Sequence, residues 1–213
     1  MVYLSPNEIS FPDPHCLESE SGLMAIGGDL SPERLLFAYQ LGFFPWFNEG
    51  EEILWWCPNP RFVIFPNQLK VSKSMRKILR DEVFTFTENQ CFRRVMEGCK
   101  NAYRKDQDGT WISNELINSF EILHQNGIAK SVEVWQNNEL VGGFYGVQIG
   151  KVFCGESMFS KVPNASKFAF IALAKQLELA NYHLLDCQVY NDHLASLGCV
   201  EIEREDFLMV LKG

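Results

Sequence analysis

Two polar side chains that can move or hold a proton fall two residues apart in the segment LLDCQVY, and a third lies earlier in the chain. Asp186 and Gln188 alternate along one predicted strand, so both side chains should point to the same face of a sheet. Glu156, in CGESMFS, lies on another predicted strand of that sheet. Two carboxylates and an amide so placed can accept a proton from a substrate group or orient it. Sheet-edge residues that only bond to the backbone give the same pattern, so both interpretations stay open.

Two tryptophans, Trp46 in FFPWF and Trp111 in TWI, lie in or beside predicted loops. A flat indole at such a place can stack on a nucleobase, which contributes about 1–3 kcal/mol per base. Burial in the core is the commoner position of a tryptophan and explains these two as well. Core burial is also the interpretation adopted for the other three, which are Trp55, Trp56 and Trp135.

Positive charge is concentrated in one segment of an otherwise acidic chain. The sequence has a net charge of −8, yet residues 70–105 hold ten of its 19 Lys and Arg and only four of its 27 acids. Four of these cations recur at the spacing of one helix face, while Met75, Ile78 and Leu79 fall on the other side. This basic stripe suits a phosphate backbone, although a solvated helix face would look the same. Its members are Lys73, Arg76, Lys77 and Arg80.

The cysteines and the apolar segments argue against several classes of protein. Seven cysteines at irregular spacing, with no C-x-x-C pair and four scattered histidines, indicate reduced and mostly buried thiols. We therefore expect no metal and no disulfide framework. The sequence has no apolar run of about 18 residues that would span a membrane, and its first residues lack the features of a signal peptide. These features lead us to expect a cytoplasmic protein.

The hydrophobic pattern is irregular in residues 1–60 and becomes regular from residue 61 onwards. This change predicts a small, loop-rich N-terminal subdomain at residues 1–60 and a catalytic domain at 61–213. Glycine, proline and aromatic residues punctuate the first region, where only Pro32–Leu41 is predicted as a helix, with Ser31 as its N-cap. The second region alternates helices with strands and contains consecutive hairpins. This order predicts an α+β fold with a mixed sheet.

The elements predicted for residues 61–213 follow from hydrophobic periodicity and from turn residues. The predicted strands are Arg61–Phe65, Val83–Thr87, Lys130–Gln136, Glu139–Ile149, Val152–Met158 and His183–Val189, with turns at Asn137-Asn138 and Gly150-Lys151 and two further strands at the end of the chain. The predicted helices are Lys73–Arg80 capped by Ser72, Gln90–Tyr103, Asn114–Gln125, Ala165–Ala180 capped by Asn164, and Asp192–Leu197.

The end of the chain resembles the last segment of GCN5-related acetyltransferases. A strand is followed by Asn191, a short helix, Gly198 and another strand. The resemblance implies an acetyltransferase-like sheet. The loop at residues 159–164, however, lacks the glycine-rich turn with which such enzymes hold the pyrophosphate of coenzyme A. We therefore expect a similar fold that uses a different acyl donor.

Several long motifs resemble those of leucyl/phenylalanyl-tRNA–protein transferases, over residues 11–207. Departures from the family pattern are Cys57, where serine is usual, and Phe144, where smaller apolar residues are common. The motifs are GGDLSPERLLFAYQLGFFPWF (27–47), LWWCPNPR (54–61), CGESMFS with NASK (154–167) and LLDCQVYNDHLASLG (184–198), with the shorter TWI (110–112), SVEVW (131–135) and LVGGFYG (140–146).

This resemblance implies an enzyme that moves Leu or Phe, less readily Met, from aminoacyl-tRNA onto the α-amine of proteins that begin with Arg or Lys. Such a transfer marks those proteins for degradation by the N-end rule pathway, and it needs no cofactor. Asp186 would accept a proton, directly or through Gln188, while Glu156 positions or neutralises the acceptor. Trp46 and Trp111 would flank the 3′ adenosine of the tRNA.

The resemblance also implies an apolar pocket for the transferred side chain, although each candidate residue could equally belong to the core. Asn191 either caps the short helix or binds substrate, and the basic stripe would bind the tRNA backbone. The pocket candidates are Phe144, Phe153, Met158, Phe170, Leu173 and Leu185.

Two other classes of protein remain as alternatives. A coenzyme A-dependent N-acyltransferase would fit the fold, but not the loop at residues 159–164 or the two loop tryptophans. A non-enzymatic module that binds tRNA or peptide would not need a cluster of proton-accepting groups. Nucleophilic catalysis by Ser157 is disfavoured because G-E-S-M-F does not match the G-x-S-x-G elbow.

Overall fold

The computed structural model describes residues 1–16, 19–48, 50–102 and 110–213, which form two β-sheets and seven α-helices. The strands are β1 Val2–Leu4, β2 Leu23–Gly27, β3 Phe44–Pro45, β4 Leu54–Trp56, β5 Arg61–Ile64, β6 Thr85–Glu88, β7 Ala129–Gln136, β8 Glu139–Ile149, β9 Val152–Ser160, β10 Leu184–Gln188 and β11 Val200–Ile202. The helices are α1 Pro32–Gln40, α2 Lys73–Arg80, α3 Phe92–Lys100, α4 Asn114–Gln125, α5 Ala165–Leu179, α6 Asp192–Ala195 and α7 Arg204–Lys212.

The main sheet has seven strands in the order β11-β5-β10-β9-β8-β7-β6. Strands β7, β8 and β9 form consecutive antiparallel hairpins, and β10 lies parallel to β9 after the crossover through α5. Asn137 and Asn138 have φ of 52° and 63° in the first hairpin turn, a conformation that asparagine tolerates better than most residues. The predicted α+β fold with a mixed sheet is confirmed.

The two faces of the main sheet are covered differently. One face packs on α5, and Phe153 and Leu185 of the sheet share this apolar cluster with Phe170 of the helix. We call it the α5 face. On the opposite face, Leu184 and Phe207 belong to a second cluster that includes α1, α3, α4 and α7. Both clusters bury apolar area, which is the main stabilising contribution to such a fold.

Residues of the N-terminal region pack onto this opposite face. The region contains a four-stranded sheet of order β1-β2-β4-β3, so it is less dominated by loops than predicted. Helix α1 begins as expected, because Ser31 Oγ accepts a hydrogen bond from the Arg34 amide and proline follows the cap. Tyr39 and Trp55 are buried in one cluster with Phe207 of the C-terminal helix. A domain boundary at residue 60 stays a prediction.

Several predicted elements need correction. The last predicted strand is wrong, because residues 204–212 form helix α7, which buries Phe207, Leu208 and Leu211. Their spacing fits one helix face, but a run this short does not separate the two periods well. Asn164 does precede α5, but it has a φ of 72° and its side chain makes no capping hydrogen bond. Helix α3 begins later than predicted, and the predicted end at Tyr103 lies outside the described residues.

No helix of the described segments combines the length and the apolar character that a membrane crossing requires.

Candidate active site

A cavity opens where the parallel strands β9 and β10 separate. Their pairing ends with Asp186 opposite Cys154, and β10 then continues alongside β5 while β9 continues alongside β8. The cavity between them has a volume of about 320 Å³. Predicted site residues that line it are Trp46, Trp111, Phe144, Glu156, Met158, Phe170, Asp186, Gln188 and Asn191.

A bulge interrupts each of the two strands at this cavity. On β9, Gly155 and Ser157 lie opposite two consecutive residues of β8, so Glu156 is the extra residue. On β10, Asp186 and Gln188 lie opposite consecutive residues of β5, and Gln188 has a φ of 67°. Bulges of this kind re-aim side chains and occur often beside active sites. The predicted regular alternation of Asp186 and Gln188 is therefore wrong, although the two residues do meet at the cavity.

Asp186 forms a buried ion pair with Arg61. Arg61 Nε and Nη2 donate to the two carboxylate oxygens at 2.8 Å and 2.7 Å, and neither side chain is more than 1% exposed. The backbone N–H of Gln188 donates to Asp186 Oδ1 at 2.9 Å. The guanidinium carbon of Arg61 also lies over the rings of Phe44 and Phe207, 4.9 Å and 4.4 Å from their centroids. Asp186 is thus held by a permanent cation through a charge-assisted pair of hydrogen bonds.

The second carboxyl of the site is Glu156. Its Oε1 accepts a hydrogen bond from Gln188 Nε2 at 2.8 Å, and its side chain is only partly exposed to the cavity. Burial is the largest cause that raises the pKa of Glu156, and together with the negative charge of Asp186 it brings the pKa to about 8. Tyr39, Gln188 and Arg61 favour the ionised form but do not offset these two causes. Glu156 can therefore gain or lose a proton near neutral pH.

Aromatic side chains form one wall of the cavity. Trp46 is 44% exposed and lies against Trp56, whose Nε1 donates to the Trp46 carbonyl at 2.7 Å. Trp111 is only 7% exposed but also reaches the cavity. Of the three tryptophans predicted to be buried in the core, Trp55 is fully buried, whereas Trp56 and Trp135 are only partly buried. Trp46 and Trp111 thus border the same cavity, one of them exposed and the other nearly buried.

The apolar wall contains three of the six predicted pocket residues. Phe144 stacks on Phe170 with ring centroids 6.0 Å apart, and Met158 lies beside them along β9. Gly155 makes room for the Phe144 ring, because a Cβ there would lie 2.6 Å from it. Leu194 of α6 completes this wall and was not predicted.

The other three predicted pocket residues lie elsewhere on the α5 face. Phe153 and Leu173 line a separate cavity of about 250 Å³, and Leu185 is fully buried between sheet and helix. Phe144 contacts Phe153 edge to face, with centroids 6.1 Å apart. These residues therefore support the wall from behind instead of facing the active-site cavity.

Asn191 and the basic stripe take positions compatible with their predicted roles. The Asn191 side chain accepts from the amides of His193 and Leu194 and thus caps α6, while it also lines the cavity. All four cations of the basic stripe are exposed on α2, and Met75 on the other side of that helix is buried. Arg104 and Lys105, in the same basic segment, lie outside the described residues.

Sequence reasoning missed two buried residues that act on the carboxylates: Arg61, which pairs with Asp186, and Tyr39, which lowers the pKa of Glu156. A signal for Arg61 was present, because an arginine that begins the otherwise apolar strand RFVIF must find a partner if it is buried. No comparable signal marked Tyr39, which lies on an ordinary amphipathic helix.

Comparison with known proteins assigns a class to this fold and site. A family model described as leucyl/phenylalanyl-tRNA protein transferase matches residues 63–212, and the model of the N-terminal domain of the same proteins matches residues 28–59. The chain is thus a transferase that acts on aminoacyl-tRNA and protein.

Relatives along the whole chain give the same result. The leucyl/phenylalanyl-tRNA–protein transferase of Flavobacterium johnsoniae is 60% identical over 100% of both chains. That of Flavobacterium psychrophilum is 57% identical over 99% of this chain and all of its own. Among solved structures, a GCN5-related N-acetyltransferase from Kribbella flavida has a TM-score of 0.40 and 10% identity, over 78% of this chain and 59% of that one. The chain belongs to the leucyl/phenylalanyl-tRNA–protein transferase family.

Proposed function

We propose that the protein transfers Leu or Phe, and less readily Met, from aminoacyl-tRNA to the α-amine of proteins that begin with Arg or Lys. This transfer marks its substrates for degradation by the N-end rule pathway, and it takes place in the cytoplasm, where charged tRNA is found. The observation that carries the proposal is Glu156, a titratable carboxyl in a cavity with one aromatic and one apolar wall. The choice of Arg and Lys rests on family membership.

Glu156 is the group best suited to accept the first proton. An α-amine has a pKa of roughly 7.7–8.0, so much of it is protonated at neutral pH and cannot attack. The pKa of Glu156 is about 8, so proton transfer from the ammonium to this carboxylate is nearly balanced. Asp186 was the acceptor expected from sequence, but its ion pair with Arg61 suits it better to fix Gln188 and supply negative charge.

The reaction is aminolysis of an ester. After Glu156 takes one proton, the neutral amine attacks the ester carbonyl and forms the new N–C bond. The bond from that carbon to the 3′ oxygen of the ribose then breaks. The attacking nitrogen gives up its second proton, and the 3′ oxygen leaves as a hydroxyl after it receives one. Because the ester is already activated, neither a covalent enzyme intermediate nor a cofactor is required.

The walls of the cavity suit the two parts of the donor. Trp46 and Trp111 would hold the 3′ adenosine between their rings. Phe144, Met158 and Phe170 would contact the transferred side chain, with the other predicted pocket residues supporting them from behind. Asn191 borders the cavity beside the cap that it forms and can bind a polar part of the substrate. The basic stripe would contact the phosphates of the tRNA body.

A transfer assay tests this function. Labelled leucine on tRNA is incubated with the protein and a reporter that begins with Arg, and the label on the reporter is measured. A reporter that differs only in beginning with Gly is the matched control. We expect label on the first reporter only. Equal labelling of both would contradict the acceptor preference, and transfer from acetyl-coenzyme A but not from Leu-tRNA would overturn the function.

A further inference from the structure

Trp46, the exposed indole of the aromatic wall, lies just beyond the end of a very short strand. Strand β3 contains only two residues and forms one edge of the four-stranded sheet. The backbone N–H of Trp46 donates to the Leu54 carbonyl of β4 at 3.0 Å, which extends the pairing of the two strands by one bond. Because the side chain is 44% exposed, burial alone constrains the indole weakly. Any further contact that orients Trp46 therefore matters for the wall.

Trp56 on β4 supplies two such contacts from outside the cavity. Its Nε1 donates to the Trp46 carbonyl at 2.7 Å, and the two rings lie with centroids 5.8 Å apart and planes at 54°. In the strand register Trp56 is the partner of Phe44, two residues before Trp46. Among the described residues, Trp46 lines the cavity and Trp56 does not. Trp56 can therefore affect a bound donor only through its neighbour.

The two contacts restrict different parts of Trp46. The hydrogen bond to its carbonyl holds the peptide plane that follows the residue, and the ring contact limits the rotation of the side chain. A binding surface that is already ordered loses less conformational entropy when the ligand arrives, so the affinity is higher. A phenylalanine in place of Trp56 would offer an apolar ring but no donor, so the indole N–H is the feature that distinguishes this residue.

We propose that Trp56 is a positioning residue for the aminoacyl-tRNA: it holds the Trp46 indole in the orientation that stacks on the base at the 3′ end. This goes beyond the proposed function, which places only Trp46 and Trp111 beside the adenosine, and it rests on that function. Since Trp56 acts through Trp46, its effect on donor binding must disappear when the Trp46 indole is removed.

The variant Trp56→Phe keeps an aromatic ring and removes the donor. KM for Leu-tRNA, and Kd for a non-hydrolysable amide analogue of leucyl-adenosine, should rise about three- to tenfold, while kcat changes little. Trp46→Ala should raise the same Kd about ten- to hundredfold, because it removes the stacking surface itself. In the Trp46→Ala background, Trp56→Phe should cause no further change. Effects that multiply in the double variant would mean that Trp56 acts independently, and they would overturn the inference.

The matched control is Trp135→Phe. The Trp135 indole is also partly buried and also donates through Nε1, to Thr87 Oγ1 at 2.9 Å, but it does not line the cavity of the described structure. This variant should leave KM and Kd at their wild-type values. An equal rise in Kd in Trp135→Phe would show that the loss of any indole N–H weakens donor binding, which would overturn a specific role of Trp56.

The order of Trp46 can also be measured without any transfer of leucine. In protein labelled with fluorotryptophan, the ¹⁹F resonance of Trp46, assigned by its loss in Trp46→Phe, should move towards that of a solvated indole in Trp56→Phe but not in Trp135→Phe. An unshifted resonance, or an unchanged Kd in Trp56→Phe while Trp46→Ala weakens binding, would overturn the inference alone. Unchanged analogue binding in Trp46→Ala would instead overturn the proposed adenosine site.

Discussion

The two faces of the main sheet divide the work at the cavity. On the α5 face, the buried residues are apolar, and Phe144, Phe153 and Phe170 pack against one another. On the opposite face, the sheet buries the charged side chains of Arg61 and Asp186, and Glu133 of β7 lies on the same side. The α5 face thus contributes an apolar surface to the site, and the opposite face contributes buried charged side chains. The cavity forms where β9 and β10 separate, and its lining contains residues of both kinds, such as Phe170 and Asp186.

The largest effect should come from the charged face at Glu156. Glu156→Gln keeps the hydrogen-bonding capacity but removes the proton acceptor, so kcat should fall by about 10²–10⁴-fold. Aminoacyl-tRNA affinity should change little. Asp186→Ala should cause a fall of the same order, but through loss of the ordered Gln188, with a lower free energy of unfolding as well. Steady-state transfer assays and chemical denaturation separate the two cases. A Glu156→Gln variant within a few-fold of wild type would remove this residue from the mechanism.

The buried ion pair should be next in effect. Arg61→Met leaves the Asp186 carboxylate buried without its cation, and this should lower the free energy of unfolding by about 3–5 kcal/mol. The double variant Arg61→Met with Asp186→Leu should recover much of that stability but none of the activity. Denaturant titrations of the two variants measure the difference. If the double variant is as unstable as the single one, packing around Phe44 and Phe207 matters more than the charge.

The elevated pKa of Glu156 predicts how stability depends on pH. Its folded pKa of about 8 lies above the unfolded value near 4.3, so ionisation opposes folding. This penalty is absent below pH 4, grows between pH 4 and 8, and is then constant. Glu156→Gln should therefore match the wild type at pH 4 but be more stable at pH 9, by a few kcal/mol. Thermal denaturation at the two values tests the sign, and a variant that is less stable at pH 9 would contradict the elevated pKa.

The apolar face should respond through specificity. Phe144→Ala widens the wall and should shift the preference from Leu towards Phe, by roughly tenfold in relative kcat/KM. The substitution should also lower the free energy of unfolding by about 3–5 kcal/mol, the usual cost of replacing a buried phenylalanine with alanine. Phe153→Ala is the matched control, because Phe153 is as buried but lines a different cavity. An unchanged Leu to Phe ratio in Phe144→Ala would make Phe144 a core residue only.

The sequence predicted what depends on local patterns. The hairpins at Asn137-Asn138 and Gly150 and the caps at Ser31 and Ser72 follow from short-range turn and capping chemistry, and the structure contains them. The bulge in β10 was not predicted, because it depends on the register with β5, a strand distant in sequence.

The site was predicted in its residue types more than in its geometry. The two carboxylates and Gln188 do come together, but the partner of Asp186 lies 125 residues away in the chain and no pattern linked them. The apolar candidates divide between two cavities, because alternation indicates the face of a residue and not its position along that face. Family resemblance supplied the candidates, and packing decided which of them reach the cavity.

The smallest effect on transfer per residue should come from the basic stripe, whose side chains are exposed on α2 and do not line the cavity. Replacing its four residues, Lys73, Arg76, Lys77 and Arg80, with Ala removes exposed charges from a helix that docks through Met75. Aminoacyl-tRNA binding should weaken, and its salt dependence should flatten by about one unit of log–log slope per lost phosphate contact. Such contacts do not read sequence, which suits an enzyme that accepts more than one tRNA.

The control is a variant with the same change in net charge at cations away from α2. Transfer from a short aminoacyl-adenosine, which lacks the tRNA body, should be unaffected in both variants, because the cavity is untouched. If analogue and tRNA reactions decline together in the stripe variant, the helix is structural and the tRNA body binds elsewhere. If the control flattens the salt dependence equally, general charge and not this helix attracts the tRNA. The control replaces Lys130, Lys151, Lys175 and Lys212 with Ala.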